Sequence, residues 1–335
     1  MIKILISLTI LLTTLQASEV NIYTHRHYPS DAILFKKFTQ KTGIEVNVVQ
    51  ANSDQIMKRL EEEGKYSPAD LLLTVDVGRL SYAKEKGLLQ PIESKFLQEV
   101  IPSNLRDSEG YWFGVTKRAR VLVYNIDLVD PKTLSTYEAL TDASYKNSIL
   151  VQSSSNIYNQ SLLASIIAHK GRKEAKAWAK GVKENFARRP TGSDRDQMRA
   201  LAAGMAKVAI VNTYYVAQLI NSKSFSDKAV SEMIGIYFPN QGKNERGAHI
   251  NISGVGVTKY AKHKANAVKF IEFLASPEAQ KVFTLQNYEY PANKNVVPSK
   301  LLVSWGKFKE DSIELSELGQ YNAEAVKIFN EVGWQ

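Results

Sequence analysis

Ala209-Ile210-Val211-Asn212-Thr213-Tyr214-Tyr215 is a short apolar run that ends on two adjacent tyrosines and passes into a helical pattern at Ala217, Leu219 and Ile220. The run has the profile of a buried strand. Alone, a tyrosine pair is usually amphipathic packing, with the ring in the core and the hydroxyl toward water. Two other strand-to-helix junctions, however, also present a tyrosine. Glu19–Thr24 reads as a strand and leads into His25-Arg26-His27-Tyr28. Ile149–Gln152 reads as another, and leads through three serines to Tyr158 ahead of a helix around Leu162–Ala168. In open α/β sheets, ligands bind outside the carboxyl ends of strands. Three such ends carrying tyrosine, one of them beside a histidine, predict a single hard-metal site.

Outward from these junctions the chain alternates strand and helix. Ser30–Thr42 has helical spacing, with a start at Asp31 and a stop at Gly43, and Ile44–Val49 alternates like a strand. Ser53–Gly64 reads as a charged helix capped by Ser53 or Asp54, Ala69–Val75 as a buried strand, and Arg79–Lys86 as a helix. This alternation predicts an α/β fold with a mostly parallel sheet. Trp112–Tyr124 is a long extended run, suited to crossing between lobes. Two helices split at Gly171-Arg172 follow, then a helix at Asp194–Ala203. Ile234–Pro239 and Gly247–Val257 read as strands returning to the first lobe. Helices are expected at Lys264–Leu274, Pro277–Leu285 and Ser316–Val332.

The first 17 residues read as an export leader: Lys3 is a short positive region, Ile4–Leu12 an apolar one, and Leu15-Gln16-Ala17 a cleavage site. The remaining length of about 318 residues suggests two lobes. The chain has no cysteine, which excludes disulfides, thiolate metal sites and cysteine nucleophiles. Its formal net charge of +9 becomes +8 once Lys3 leaves with the leader. Basic residues are interspersed with acids, as in Lys58-Arg59-Leu60-Glu61-Glu62-Glu63, so the charge reads as a solvated face and not as a nucleic-acid site.

Phenolate is the strongest oxygen donor a side chain offers, but free tyrosine has a pKa of about 10 and needs a strong local positive charge to ionise near neutrality. Ferric iron, a hard trivalent cation, supplies that charge; calcium and magnesium prefer carboxylates and carbonyls. Tyr28, Tyr158, Tyr214 and Tyr215 therefore point to Fe(III), with His27 able to add a nitrogen. His25 reads as a surface histidine. Arg118 and Arg120 share one face of their strand; they are either ordinary exposed residues or cations that favour phenolate or hold an anion, Arg118 first. Asp194-Arg195-Asp196 follows Thr191-Gly192-Ser193 and reads as helix capping. No His-Glu-x-x-His helix, Gly-x-Ser-x-Gly elbow or glycine-rich phosphate loop occurs, which argues against an enzyme.

Several of these segments also match a known family. The His27-Tyr28 loop, Ser67-Pro68-Ala69-Asp70, Thr116-Lys117-Arg118-Ala119-Arg120, Asp194-Arg195-Asp196-Gln197, Asn212-Thr213-Tyr214-Tyr215 and Phe273-Leu274-Ala275-Ser276-Pro277-Glu278-Ala279-Gln280 resemble the periplasmic ferric-iron-binding proteins of bacterial ABC transporters, in their tyrosine-rich type. The resemblance covers essentially the whole chain after the leader. It implies a two-lobed type II periplasmic binding protein, with crossing hinge strands and iron in the cleft. The implied ligands are Tyr158, Tyr214 and Tyr215 on the second lobe, and Tyr28 with His27 on the first. Some relatives use a glutamate and a synergistic anion there, and this sequence departs from them.

The expectation is thus a periplasmic, non-enzymatic and monomeric carrier that binds Fe(III) and delivers it to a membrane permease, with Arg118 and Arg26 as supporting cations. Its first lobe is expected at 18–118 and 236–290, its second at 119–235 and 291–335. The competing expectation is an organic cation held in an aromatic box of the same tyrosines.

Overall fold

The computed structural model describes residues 18–26 and 28–335. The leader expected at 1–17, and His27, lie outside the described residues. Helices form where apolar periodicity and end signals coincide. After β1 (Glu19–Thr24), α1 (Pro29–Thr42) starts on a proline and stops at Gly43, whose φ of 71° is the left-handed conformation that glycine adopts without penalty. Beyond β2 (Glu45–Gln50), α2 (Ser53–Glu63) is capped by Asn52 and not by Ser53 or Asp54. The Asn52 side chain accepts from the Gln55 amide, and Gln55 returns the bond. Next come β3 (Leu71–Val75), α3 (Val77–Glu85), β4 (Leu89–Gln90), α4 (Lys95–Val100) and the 13-residue β5 (Phe113–Asn125).

β5 organises everything else. Its first half, Phe113–Ala119, pairs with β9 (Ile250–Thr258), and its second half, from Arg120 on, pairs with β7 (Val208–Asn212) and β8 (Ile234–Tyr237). Two sheets therefore share one strand and change partners at Ala119/Arg120. The first contains β2-β1-β3-β9-β5, with β4 on β9 and β10 (Tyr290–Pro291) on β5; the second continues through β7 to β6 (Ile149–Leu150), with β8 on β5.

Two expectations change here. Among the described strands the parallel pairings are β1–β2, β1–β3 and β6–β7; every pairing of β5 and β9 is antiparallel. Strand–helix alternation describes the crossover units at each flank, but β5 and β9 run the length of the junction in opposite directions. β8, read as returning to the first lobe, stays in the second sheet, and β9 alone returns.

The remaining helices are α5 (Ile157–Lys170), α6 (Arg172–Glu184), α7 (Asp194–Ala202), α8 (Thr213–Ile220), α9 (Phe225–Glu232), α10 (Lys264–Ala275), α11 (Pro277–Val282), α12 (Lys300–Ser304) and α13 (Leu315–Val332). Their inward stripes close the core. In α6, Ala175, Trp178, Ala179 and Val182 follow the i, i+3, i+4, i+7 rule and are buried. Each large apolar side chain so buried contributes about 1.5–3 kcal/mol. Trp334, 1 % exposed, packs against Trp178, Phe186 and Phe329, and its indole N–H donates to the Gln152 carbonyl.

The stretch after β10 is tied to the first sheet's helices. The Ala292 amide donates to Gln280, the Asn293 side chain to the Ala275 carbonyl, the Lys294 amide to Val100 and the Ser299 amide to Thr284. α13 then packs on α5 and α6 but also on α3, where Gly319 lies directly against Ser81; a Cβ at Gly319 would come within 2.2 Å of the serine's Cβ.

Candidate metal centre

All three tyrosine junctions lie where the sequence reading puts them, just past the carboxyl ends of β1, β6 and β7. Tyr28 is the extended residue before Pro29 opens α1. Tyr158 sits in the first turn of α5, its amide capped by Asn156 at 2.8 Å. β7 ends at Asn212 and α8 begins at Thr213, so Tyr214 and Tyr215 fall in that helix's first turn. All four tyrosines thus belong to helix starts, Tyr28 as the N-cap of α1 and the others in first turns.

The fold brings the four rings together. Tyr158 and Tyr214 hydroxyl oxygens are 3.1 Å apart. The Tyr214 ring lies 4.2 Å from that of Tyr215 and 6.4 Å, edge-on, from that of Tyr28. Neighbouring oxygens around a small hard cation in octahedral geometry are about 2.9 Å apart, so the Tyr158–Tyr214 pair already has the spacing of two donors to one ion. Among the described residues no group of three or more His, Cys, Asp and Glu could hold a metal. A cleft of about 440 Å³ opens over Tyr28, Tyr158 and Tyr215, with His25, Ser193 and Arg195 at its rim.

Burial decides the protonation of these phenols. It holds Tyr214 well above the ordinary tyrosine range, helped by Tyr158, Tyr28 and Tyr215 and opposed by Arg118. It does the same for Tyr28, where Glu289 and Tyr158 add to it and Arg26 opposes. Tyr215 is raised by burial, then by Tyr158 and Asp194. Near neutral pH burial keeps these three phenols protonated.

The expected supporting cations are present, each bound to a carboxylate. Arg118 and Arg120 are not exposed strand residues: each is 1 % exposed and both face the Tyr158 ring, at 5.1 and 5.8 Å. Arg118 donates to Asp76 at 3.1 Å; Arg120 donates to Asp194 at 2.8 Å and to Asn159 at 2.9 Å. Arg26 lies 4.7 Å over the Tyr28 ring, grips Asp31 through two 3.0 Å bonds and stands 3.7 Å from Glu289. His25 turns to the Thr74 hydroxyl at 3.0 Å and is half-buried. In the Asp194-Arg195-Asp196 stretch, Asp196 does cap α7 with Ser193, whereas Asp194 is fully buried as the partner of Arg120 and the Asn212 amide.

Asp76 and Glu289 were invisible in the sequence. Each is an isolated acid whose partner lies far along the chain, so no spacing marks it. The arginines also count against an aromatic box, since a ligand cation among these rings would face Arg26, Arg118 and Arg120.

The model of the bacterial extracellular solute-binding proteins matches residues 34–310. An iron uptake protein of Synechocystis is 47% identical over 320 residues, which span 96% of this chain and 88% of that protein. The chain belongs to the ferric-iron-binding group of the bacterial solute-binding proteins. A Trichodesmium member of the group, solved in complex with iron and citrate ligands, superposes with a TM-score of 0.92 at 48% identity, covering 95% of this chain and all of that one. A ferric binding protein from Campylobacter jejuni superposes with a TM-score of 0.89 at 49% identity, over 94% of this chain and 100% of that one. The two-lobed α/β architecture is that of the group. The organic-cation alternative finds no support among these relatives.

Proposed function

We propose that this chain is the periplasmic component of an ABC transporter that captures ferric iron through Tyr28, Tyr158, Tyr214 and Tyr215, with His27 as a fifth donor, and hands it to a membrane permease. The observation that carries the reading is the convergence of four phenols from three strand ends, two of them in oxygen contact at 3.1 Å. Their donor chemistry suits a hard trivalent cation, and four phenolates with one Fe(III) give a local charge of −1 by simple addition. The similar proteins named above for iron uptake and ferric binding support the same cargo.

The geometry also supports a capture sequence. Tyr158, Tyr214 and Tyr215 come from the second sheet's helices and Tyr28 from the first, with β5 as the shared strand. An ion taken by the second-lobe tyrosines is enclosed when rotation about the crossing strands brings Tyr28 and His27 onto it. Arg118 and Arg26 moderate the charge that four phenolates accumulate. In this reading the lobes meet at Ala119/Arg120, the leader 1–17 directs export, and the carrier acts as a monomer without catalysis. In the same reading the first lobe's second segment begins near β9 and runs past residue 290; the pairing of β8 with β5 and the bonds of 292–299 support those limits.

Addition of ferric citrate to the metal-free protein tests the assignment. Phenolate bound to Fe(III) gives a visible charge-transfer band, so the solution should turn orange to red. A colourless ferric-loaded protein rejects it.

A further inference from the structure

We infer that Asp76 and Ser161 are positioning residues that seat Tyr158 against Arg118 and so set how long a captured ion is held; the inference rests on the ferric reading above. Asp76 adopts φ 80°, a backbone conformation that side-chain-bearing residues rarely adopt. Four bonds over-determine it there. One carboxylate oxygen accepts the Gly78 amide at 3.1 Å and the Ser161 hydroxyl at 2.7 Å; the other accepts Asn251 at 2.9 Å and Arg118 at 3.1 Å. All of this is buried, with Asp76 at 0 % and Ser161 and Arg118 at 1 % exposure. Nε and Nη1 of Arg118 have no hydrogen-bond partner among the described residues, so Asp76 is the anchor that aims this guanidinium.

Ser161 and Tyr158 are three residues apart on α5 and share one face of it. That face rests on the buried Arg118–Asp76 pair at two points: the Tyr158 ring on the arginine, at 5.1 Å, and the Ser161 hydroxyl on the carboxylate. Asp76 opens α3, which packs on β3, β9 and α13, and α5 packs on α6 and on the same α13. The approach is close, since a Cβ at Gly78 would lie 3.8 Å from the Ile157 side chain. The Ser161–Asp76 bond therefore exists only while α5 is seated against α3. That bond fixes the first turns of α5, and with them the Tyr158 ring, against Arg118.

The test is the rate at which ferric-loaded protein gives its iron to an excess of strong chelator, followed at the charge-transfer band. S161A removes one hydrogen bond to a charged group and leaves Asp76 its other partners, so release should accelerate about ten-fold. The same substitution made in Y158F should change release less than about two-fold, because the ring it seats is no longer a donor. Unchanged release in S161A, or equal acceleration in both backgrounds, overturns the inference; the latter would mean that Ser161 only ties two helices together. Asp76→Asn supplies an independent readout. It keeps an acceptor for Ser161 but leaves Arg118 unopposed beside the Tyr158 phenolate, so the band should move to shorter wavelength, and an unmoved band overturns the Arg118 link. Wild-type protein without any band would instead reject the ferric reading itself.

Discussion

Tyr214→Phe changes the proton balance of binding in a way the structure makes countable. Tyr28, Tyr214 and Tyr215 are all held above the ordinary tyrosine range by burial, so each is protonated near pH 7 in the metal-free protein. Each must lose that proton to bind as phenolate, and the proposed donor count of four phenolates sets the total at four. With four protons released per iron, the binding constant changes by about four powers of ten per pH unit, or about 5.5 kcal/mol at 1.36 kcal/mol per proton. The sign follows from the release: affinity falls as pH falls. The Tyr214→Phe ring would keep the 4.2 Å and 6.4 Å contacts with Tyr215 and Tyr28 and lose only the oxygen next to Tyr158. The variant should therefore release about three protons, and its affinity should fall about three powers of ten per pH unit. The assay is titration with a ferric chelate in weakly buffered solution, recording protons liberated per iron, with a chelator that does not itself titrate in the window. Fewer than about two protons per iron in the wild type, against the four of that donor count, would refute the ligand set. An identical count in wild type and Tyr214→Phe would remove Tyr214 from it.

Tyr215→Phe should weaken or shift the visible band of the ferric protein while leaving the metal-free fold intact; unchanged spectra in both Tyr214→Phe and Tyr215→Phe would sink the phenolate assignment. Iron should bind without a synergistic anion, because four phenolates already exceed the charge of Fe(III) and Arg118, Arg120 and Arg26 are each committed to a carboxylate. A further like charge at about 4 Å costs on the order of 4 kcal/mol at an effective dielectric of 20. Loading in carbonate-free, phosphate-free buffer checks this, and colour that appears only on adding bicarbonate would contradict it. Metal-free protein should lose stability at alkaline pH. Phenols raised by burial, including Tyr23 pushed up to about 12 by burial and then Glu63, keep their protons in the folded state after the unfolded chain ionises near 10. The stability is full below that pH and lost as pH rises through the folded values, so melting temperatures at pH 9 and 11 should differ; equal values would mean the phenols are not buried as described. Trp334→Ala should cost about 3–5 kcal/mol in a denaturant melt, since the ring fills the core against Trp178 and Phe186, and a loss below about 1 kcal/mol would contradict that packing.

The sequence by itself determined the three tyrosine junctions, because each is a local event. A buried strand, a break and a helix start are all written within a dozen residues around Tyr28, Tyr158 and Tyr214-Tyr215, and the chemistry of phenols then restricts the ion. Helix ends such as Gly43, and the long extended run read at 112–124 that forms β5, were legible for the same reason. The tertiary structure decided what surrounds the tyrosines. Arg118 and Arg120 on an extended strand read equally as solvent-facing residues or as site cations until Asp76 and Asp194 are known to pair with them, and those partners are 42 and 74 residues away. Ser161 meets Asp76 across 85 residues. The direction of pairing was equally hidden: strand–helix alternation specifies crossover units, and says nothing of β9 returning antiparallel along β5. Local pattern is set by hydrogen bonding and side-chain periodicity within a few residues. A buried charge is stable only beside a particular counter-charge, and closure of the whole chain selects that partner.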